Sequence, residues 1–174
     1  PIDFHQDVHL AIGADIHLRR AGHILGASTV EVRWGGKTIV FSGDLGRYGD
    51  PFMFDPEPVT AADYVVVEST YGNRTHPKID PMEQLGEVID RTVKRGGTVI
   101  IPSFAVGRAQ LILYHIWMLK KAGRFESVPI YLDSPMAVNT SSIFCDHLGE
   151  HRLTEKQCRD ACGIAEYVRE AEDS

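Results

Sequence analysis

The sequence predicts an α/β fold, and three observations carry that expectation. Two β-rich runs joined by a glycine pair lie in the first quarter of the chain. A continuous apolar run, Tyr64-Val65-Val66-Val67, follows a loop rich in glycine and proline. From about residue 80 onward, helical patterns alternate with short apolar runs.

Residues 6–42 read as short strands. Val8-His9-Leu10-Ala11-Ile12 alternates, and Thr29-Val30-Glu31-Val32-Arg33-Trp34 leads through Gly35-Gly36 into Lys37-Thr38-Ile39-Val40-Phe41, a hairpin signal. Residues 43–62 are loop-like, with Pro51, Pro56 and Pro58 among the glycines Gly43, Gly46 and Gly49. The run at Tyr64–Val67 has the texture of a strand covered on both faces. Asp80-Pro81 opens a helix in which Leu85, Val88, Ile89, Thr92 and Val93 keep helical spacing, and Gly96-Gly97 closes it. Thr98-Val99-Ile100-Ile101 is expected to be a buried strand ended by Pro102. Residues 106–121 form an apolar helix closed by Gly123, and Val128–Leu132 is the next strand, followed by Asp133-Ser134-Pro135 and a further helix. Strands and helices alternating at this spacing predict parallel βαβ units. The charged tail, Glu166–Ser174, reads as a helix end or a frayed terminus.

Composition narrows the function classes. Of 174 residues, 43% are hydrophobic and 24% charged, as in ordinary globular domains. No apolar run reaches the roughly 18 residues of a membrane span. The start, Pro1-Ile2-Asp3-Phe4-His5, lacks the basic and apolar regions of a signal peptide and has no initiator Met, which suggests an internal segment of a longer protein. A net charge of −6 argues against a protein that coats nucleic acid by charge alone, and leaves room for a basic cleft in an acidic surface. Cys145, Cys158 and Cys162 are an odd set without a disulfide framework, read as reduced thiols in a cytoplasmic protein. A CxxxC pair by itself is a weak metal signal.

Two places have the pattern of a site. His23 sits in Ala21-Gly22-His23-Ile24-Leu25-Gly26, where flanking glycines allow close backbone approach, although a plain turn histidine fits too. Asp44 follows a strand in Phe41-Ser42-Gly43-Asp44-Leu45-Gly46-Arg47. The C-terminal end of a strand is a usual place for a ligand or base in α/β proteins, and an Asx-turn is the ordinary alternative. A third pattern, His147-Leu148-Gly149-Glu150-His151, matches the H-x-x-E-H of inverted zinc peptidases. Gly149 interrupts any helix there, so a polar surface is the better reading. His115, among Leu111, Ile112 and Trp117, reads as a core or interface residue.

Taken in order, AGHILGAS (21–28), FSGDLGR (41–47), VVVESTYGNRTH (65–76), IPSFAVGRAQ (101–110) and IYLDSPMA (130–137) resemble the β-CASP branch of the metallo-β-lactamase superfamily. That group includes bacterial and archaeal ribonucleases and the pre-mRNA 3′-end endonuclease subunit. The resemblance implies a zinc-ligating role for His23, a zinc-bridging role for Asp44, and for Glu68 a carboxylate near the metals that orients a general-acid histidine. It further implies that residues 1–75 belong to the metallo-β-lactamase αββα sandwich and residues 76–174 to the first half of the β-CASP lobe. Two zinc ions about 3.5–4 Å apart would activate water to hydrolyse single-stranded RNA. Arg108, at a helix start, and Ser134, after a strand, are the candidate substrate-binding residues, a solvated helix arginine being the ordinary alternative for Arg108. The family's H-x-H-x-D-H motif and its late histidines do not occur in these residues. The 174-residue chain alone is therefore expected to bind zinc weakly and to be inactive, with exposed surfaces prone to self-association or homodimer formation. The alternative is a non-catalytic β-CASP scaffold in an RNA-processing complex. No membrane partner is expected.

Overall fold

A computed structural model of the chain describes residues 2–168. The chain divides into two compact units, one formed by Pro1–Thr75 with Gly149–Arg152, the other by His76–Leu148 with Leu153–Ser174.

The first unit is built on a five-stranded sheet in chain order: β1 (Asp7–His9), β2 (Asp15–Arg20), β3 (Ser28–Trp34), β4 (Lys37–Phe41) and β5 (Tyr64–Val66). The first four strands run antiparallel, and β5 joins β4 in parallel, with Val40 opposite Val65. The Gly35-Gly36 turn forms the tight hairpin that its sequence predicts. Both glycines have positive φ, 58° and 72°, the geometry whose twist matches the flanking strands. Ala14, Ala21, Val40, Phe52 and Met53 are the unit's buried apolar residues. The segment Gly149–Arg152 belongs to this unit: His151, 2% exposed, stacks on Phe52, and the Arg152 amide donates to the Phe52 carbonyl. Arg20 lies over the rings of Phe4 and Phe54 while its guanidinium pairs with Glu57 and Glu150. The flat cation is thus held by ring faces and carboxylates together.

The second unit is mainly helical. Its elements are α1 (Pro81–Lys94), α2 (Arg108–Lys121), β6 (Tyr131–Asp133), α3 (Pro135–Asp146), α4 (Glu155–Cys162) and β7 (Glu166–Val168). Asp80 caps α1 by accepting from the amides of Met82 and Glu83, and Pro81 occupies the first turn, where its missing N–H costs nothing. A capping box between Thr154 and Gln157 starts α4. Leu113, Ile116 and Leu119 of α2, Val138 and Phe144 of α3, and Cys158 and Ala161 of α4 form the core. β6 and β7 pair in parallel across the α3–α4 connection, so one parallel crossover unit forms.

Several sequence expectations are corrected. Tyr64–Val67 is a strand through Val66, but an exposed one: Val65 is 62% and Val67 61% exposed. The run pairs at one edge, and the first unit contains no α-helix among the described residues to cover its faces. Thr98–Ile101 forms no strand, and Ile100 is 87% exposed. An apolar run is buried only when other elements cover its faces. The Val128–Leu132 strand is displaced to Tyr131–Asp133. Residues 166–168 are a strand rather than a helix end, and the rest of that tail lies outside the described residues. The expected reduced state of the cysteines also fails, because α3 and α4 pack Cys145 and Cys158 with Cα atoms 5.7 Å apart, and the two form a disulfide. Among the described residues no helix is long and apolar enough to cross a membrane.

Candidate functional site

The two glycine-flanked loops singled out in the sequence meet at the end of the sheet in the first unit. Gly22 and Leu45 form an isolated antiparallel bridge, and the Gly46 amide donates to the Ala21 carbonyl at 2.8 Å. Side chains are excluded from this junction. A Cβ on Gly46 would land on the Gly22 carbonyl and 2.8 Å from the His23 amide nitrogen. Gly22 itself has φ +71° and faces the Phe54 carbonyl. The result is that His23 and Asp44 are carried on adjoining loops, both exposed to solvent.

Glu68 joins them from the C-terminal end of β5. Its Oε1 accepts from the Leu45 amide at 3.0 Å and its Oε2 from the Thr70 amide at 3.3 Å. Its own amide donates to Ser42 Oγ at 3.0 Å. Hydrogen bonds from the Thr70 side chain, the Leu45 amide and the Thr70 amide, together with the positive potential of nearby His23, hold its carboxyl below the usual glutamate range. Glu68 is therefore ionised at neutral pH and acts as an acceptor that ties the Asp44 loop to β5.

Ser42 and Thr29 support this junction, and motif reading missed them. The Ser42 amide donates to the Val66 carbonyl, extending the β4–β5 ladder by one bond. Its hydroxyl donates to the Gly43 carbonyl while accepting from Glu68, and Thr29 donates to the Ser42 carbonyl at 3.0 Å. Both are buried. A hydroxyl between a strand and a Gly-Asp turn is the sequence signal that marks such a support. A cleft of about 570 Å³ opens beside this junction, lined by Ser42, Leu45, Gly46, Tyr48, Val65 and Val67 among others.

Arg108 and Ser134 belong to the second unit. Arg108 is the exposed first residue of α2, whose N-cap Gly107 (φ 76°) makes no side-chain cap bond. Ser134 caps α3, its hydroxyl accepting from the Ala137 amide at 3.2 Å. That commits one of its two lone pairs to the helix, and its O–H can still donate. The H-x-x-E-H pattern does not form a helix: α3 ends at Asp146, Leu148–Glu150 is a 3₁₀ turn, and His151 is buried. His115 is buried in α2, as its apolar surroundings suggest.

As metal donors, the imidazole of His23 and the carboxylate of Asp44 are suited in type to zinc. In number they fall short, since among the described residues no third donor joins them in a cluster.

Comparison with known proteins places part of the chain in a family. Residues 109–174 match the model of the Beta-Casp domain. The chain is 40% identical over 137 residues to Ribonuclease TTHA0252 of Thermus thermophilus, covering 78% of this chain and 31% of that protein. It is 35% identical over 167 residues to Endoribonuclease YSH1 of Mycosarcoma maydis, covering 91% and 19%. To the RNase J-like protein of Methanocaldococcus jannaschii it is 30% identical over 151 residues, covering 84% and 36%. Residues 109–174 belong to the Beta-Casp domain family. The chain spans between 19% and 36% of the length of these relatives. The matched domain model falls on the second unit and on the Gly149–Arg152 segment, while His23, Asp44 and Glu68 lie before it.

Proposed function

We propose that the protein to which this chain belongs is a zinc-dependent ribonuclease that hydrolyses phosphodiester bonds of single-stranded RNA. The observation that carries the reading is the loop junction itself: an exposed imidazole and an exposed carboxylate set side by side by a glycine contact, with an ionised glutamate bonded to the same loop. The names of the relatives, ribonuclease and endoribonuclease, support RNA as the substrate class.

In this reading His23 and Asp44 are metal ligands, and Asp44 has two oxygens to share between ions. Zinc, when bound, supplies an activated water at neutral pH and offsets the charge that grows on the phosphate. Glu68 positions: being ionised, it accepts hydrogen bonds, and it orients the Asp44 loop and any protonated imidazole brought beside it. Arg108 offers a guanidinium fork to a phosphate at the N-terminus of α2, where the helix adds its own positive end. Ser134 donates its O–H to the same strand of substrate. Residues 1–75 are assigned to the metallo-β-lactamase sandwich and 76–174 to the β-CASP lobe. The remaining zinc ligands are assigned to parts of the protein matching the uncovered length of the relatives, so the 174-residue chain alone is expected to be inactive.

The test is a denaturing-gel assay of end-labelled single-stranded RNA with the complete protein, with and without a chelator. Chelator-sensitive cleavage supports the reading. Intact RNA with folded, zinc-loaded protein would favour a scaffold role instead.

A further inference from the structure

The second unit holds a cluster of donors that the nuclease reading does not use. Cys145, near the end of α3, faces Cys158 and Cys162, which lie one turn apart on α4. The three Sγ atoms all lie within 4.8 Å of one another, and among the described residues this is the one group of three His, Cys, Asp or Glu donors close enough to share an ion. Cys145 and Cys158 are joined as a disulfide, and the Cys162 Sγ lies 3.9 Å from that of Cys145.

We propose that this trio is a redox-gated site for a soft cation, of the class of Zn²⁺ or Cu(I), open to metal when the disulfide is reduced and closed when it forms. The gating step balances simply. Two equivalents of a thiol reductant deliver two electrons and two protons to the Cys145–Cys158 bond, giving two thiols and the reductant's own disulfide. The cation then displaces the protons of all three thiols and takes three thiolates as ligands.

Geometry favours the metal. With metal–sulfur bonds of about 2.3 Å, thiolates on a tetrahedral ion stand about 3.8 Å apart. Cys145 and Cys162 are already at 3.9 Å, the third pair lies within 4.8 Å, and Cys158 has to part from Cys145. Both helices begin with a side-chain cap, Ser134 on α3 and Thr154 on α4, which fixes the frame that carries the sulfurs. Two of the three cysteines are partly exposed, giving an ion a way in, while Cys158 is buried.

Outer support is present too. Ser141, whose hydroxyl accepts from the Gln110 amide at 3.0 Å and donates to the Ala137 carbonyl at 2.8 Å, is also bonded to the Cys162 thiol, and Gln110 and Ser141 are each 2% exposed. Metal ligands characteristically have such bonded partners behind them. Burial pushes the Cys162 thiol up, against a smaller opposite pull from Ser141. A thiol held protonated is a poor nucleophile, which disfavours simple exchange with the adjacent disulfide. A cation has to displace that proton, so its binding strengthens as pH rises.

The experiment is a cadmium titration of the protein reduced with a phosphine, read at the ultraviolet thiolate-to-cadmium charge-transfer band. Only thiolates give that band, so His23 and Asp44 contribute nothing to it. The expected result is one ion per chain with three thiols protected from alkylation, and no band before reduction. Cys162→Ser should lose about a third of the band and weaken binding by more than the roughly ten- to hundredfold that an outer-shell loss costs. Cys162 is chosen because it is only partly buried, and a thermal melt checks the fold. Should Cys162→Ser fail to fold, the count of protected thiols in the unsubstituted protein decides alone. No band after reduction, fewer than three protected thiols, or a Cys162→Ser titration identical to the parent's overturns the proposal, leaving a disulfide with a bystander thiol.

Discussion

Gly46→Ala tests the junction that sets His23 beside Asp44. Gly46 does not have a positive φ, so its requirement is space and not backbone freedom. The new methyl group would meet the Gly22 carbonyl and the His23 amide, both of them backbone and neither able to swing away. Relief requires the two loops to part, which sacrifices the Gly46–Ala21 hydrogen bond and the Gly22–Leu45 bridge. Two such bonds at about 1 kcal/mol each, with some strain left over, give a loss of about 2–4 kcal/mol. For an unfolding slope of about 2 kcal/mol per molar urea, the midpoint falls by about 1–2 M. Trp34 lies in the first unit and Trp117 in the second, so a Trp117→Phe background leaves Trp34 fluorescence as the reporter of the affected unit. Gly149→Ala, with nothing within 4 Å of the added carbon and no positive φ, is the control and should stay within about 0.5 kcal/mol. A Gly46→Ala midpoint equal to that of the control would refute the tight junction.

Further outcomes follow from other parts of the fold. Because Glu68 has a lowered folded pKa, its contribution to stability is present above its unfolded value and is lost as pH falls through the folded one. Glu68→Gln should thus flatten the acid limb of stability against pH, and a wild-type-minus-variant urea difference that stays constant from neutral to acid pH would contradict this. Ser134→Ala removes the α3 cap and should cost about 1 kcal/mol in thermal or urea unfolding, and Ser134→Asp should recover most of it. The 174-residue chain, with β5 an exposed apolar edge strand, should self-associate in sedimentation velocity as concentration rises. Val65→Lys should suppress that association, and an unchanged concentration dependence would place the sticky surface elsewhere.

The parts of the fold legible in the sequence are those fixed by local chemistry. Gly35-Gly36 selects its own turn, and Asp80-Pro81 selects a helix start, whatever surrounds them. The apolar runs at Tyr64–Val67 and Thr98–Ile101 were harder, because burial is a property of the partner as much as of the run. His23 and Asp44 were legible through their glycines, which mark places where backbones touch. The bond from Glu68 to the Leu45 amide spans 23 residues and leaves no periodic trace. The cysteine cluster was half visible: Cys158 and Cys162 share a helix face by spacing, while Cys145 joins them only through the packing of α3 on α4.

The most direct measurement is the rate at which the complete protein and its Asp44→Ala variant cleave matched single strands of RNA and DNA. The account predicts chelator-sensitive cleavage of the RNA strand, faster than of the DNA strand, and its loss in the variant while the fold persists. Unchanged RNA cleavage by a folded Asp44→Ala protein would contradict the placement of the metal site at this junction.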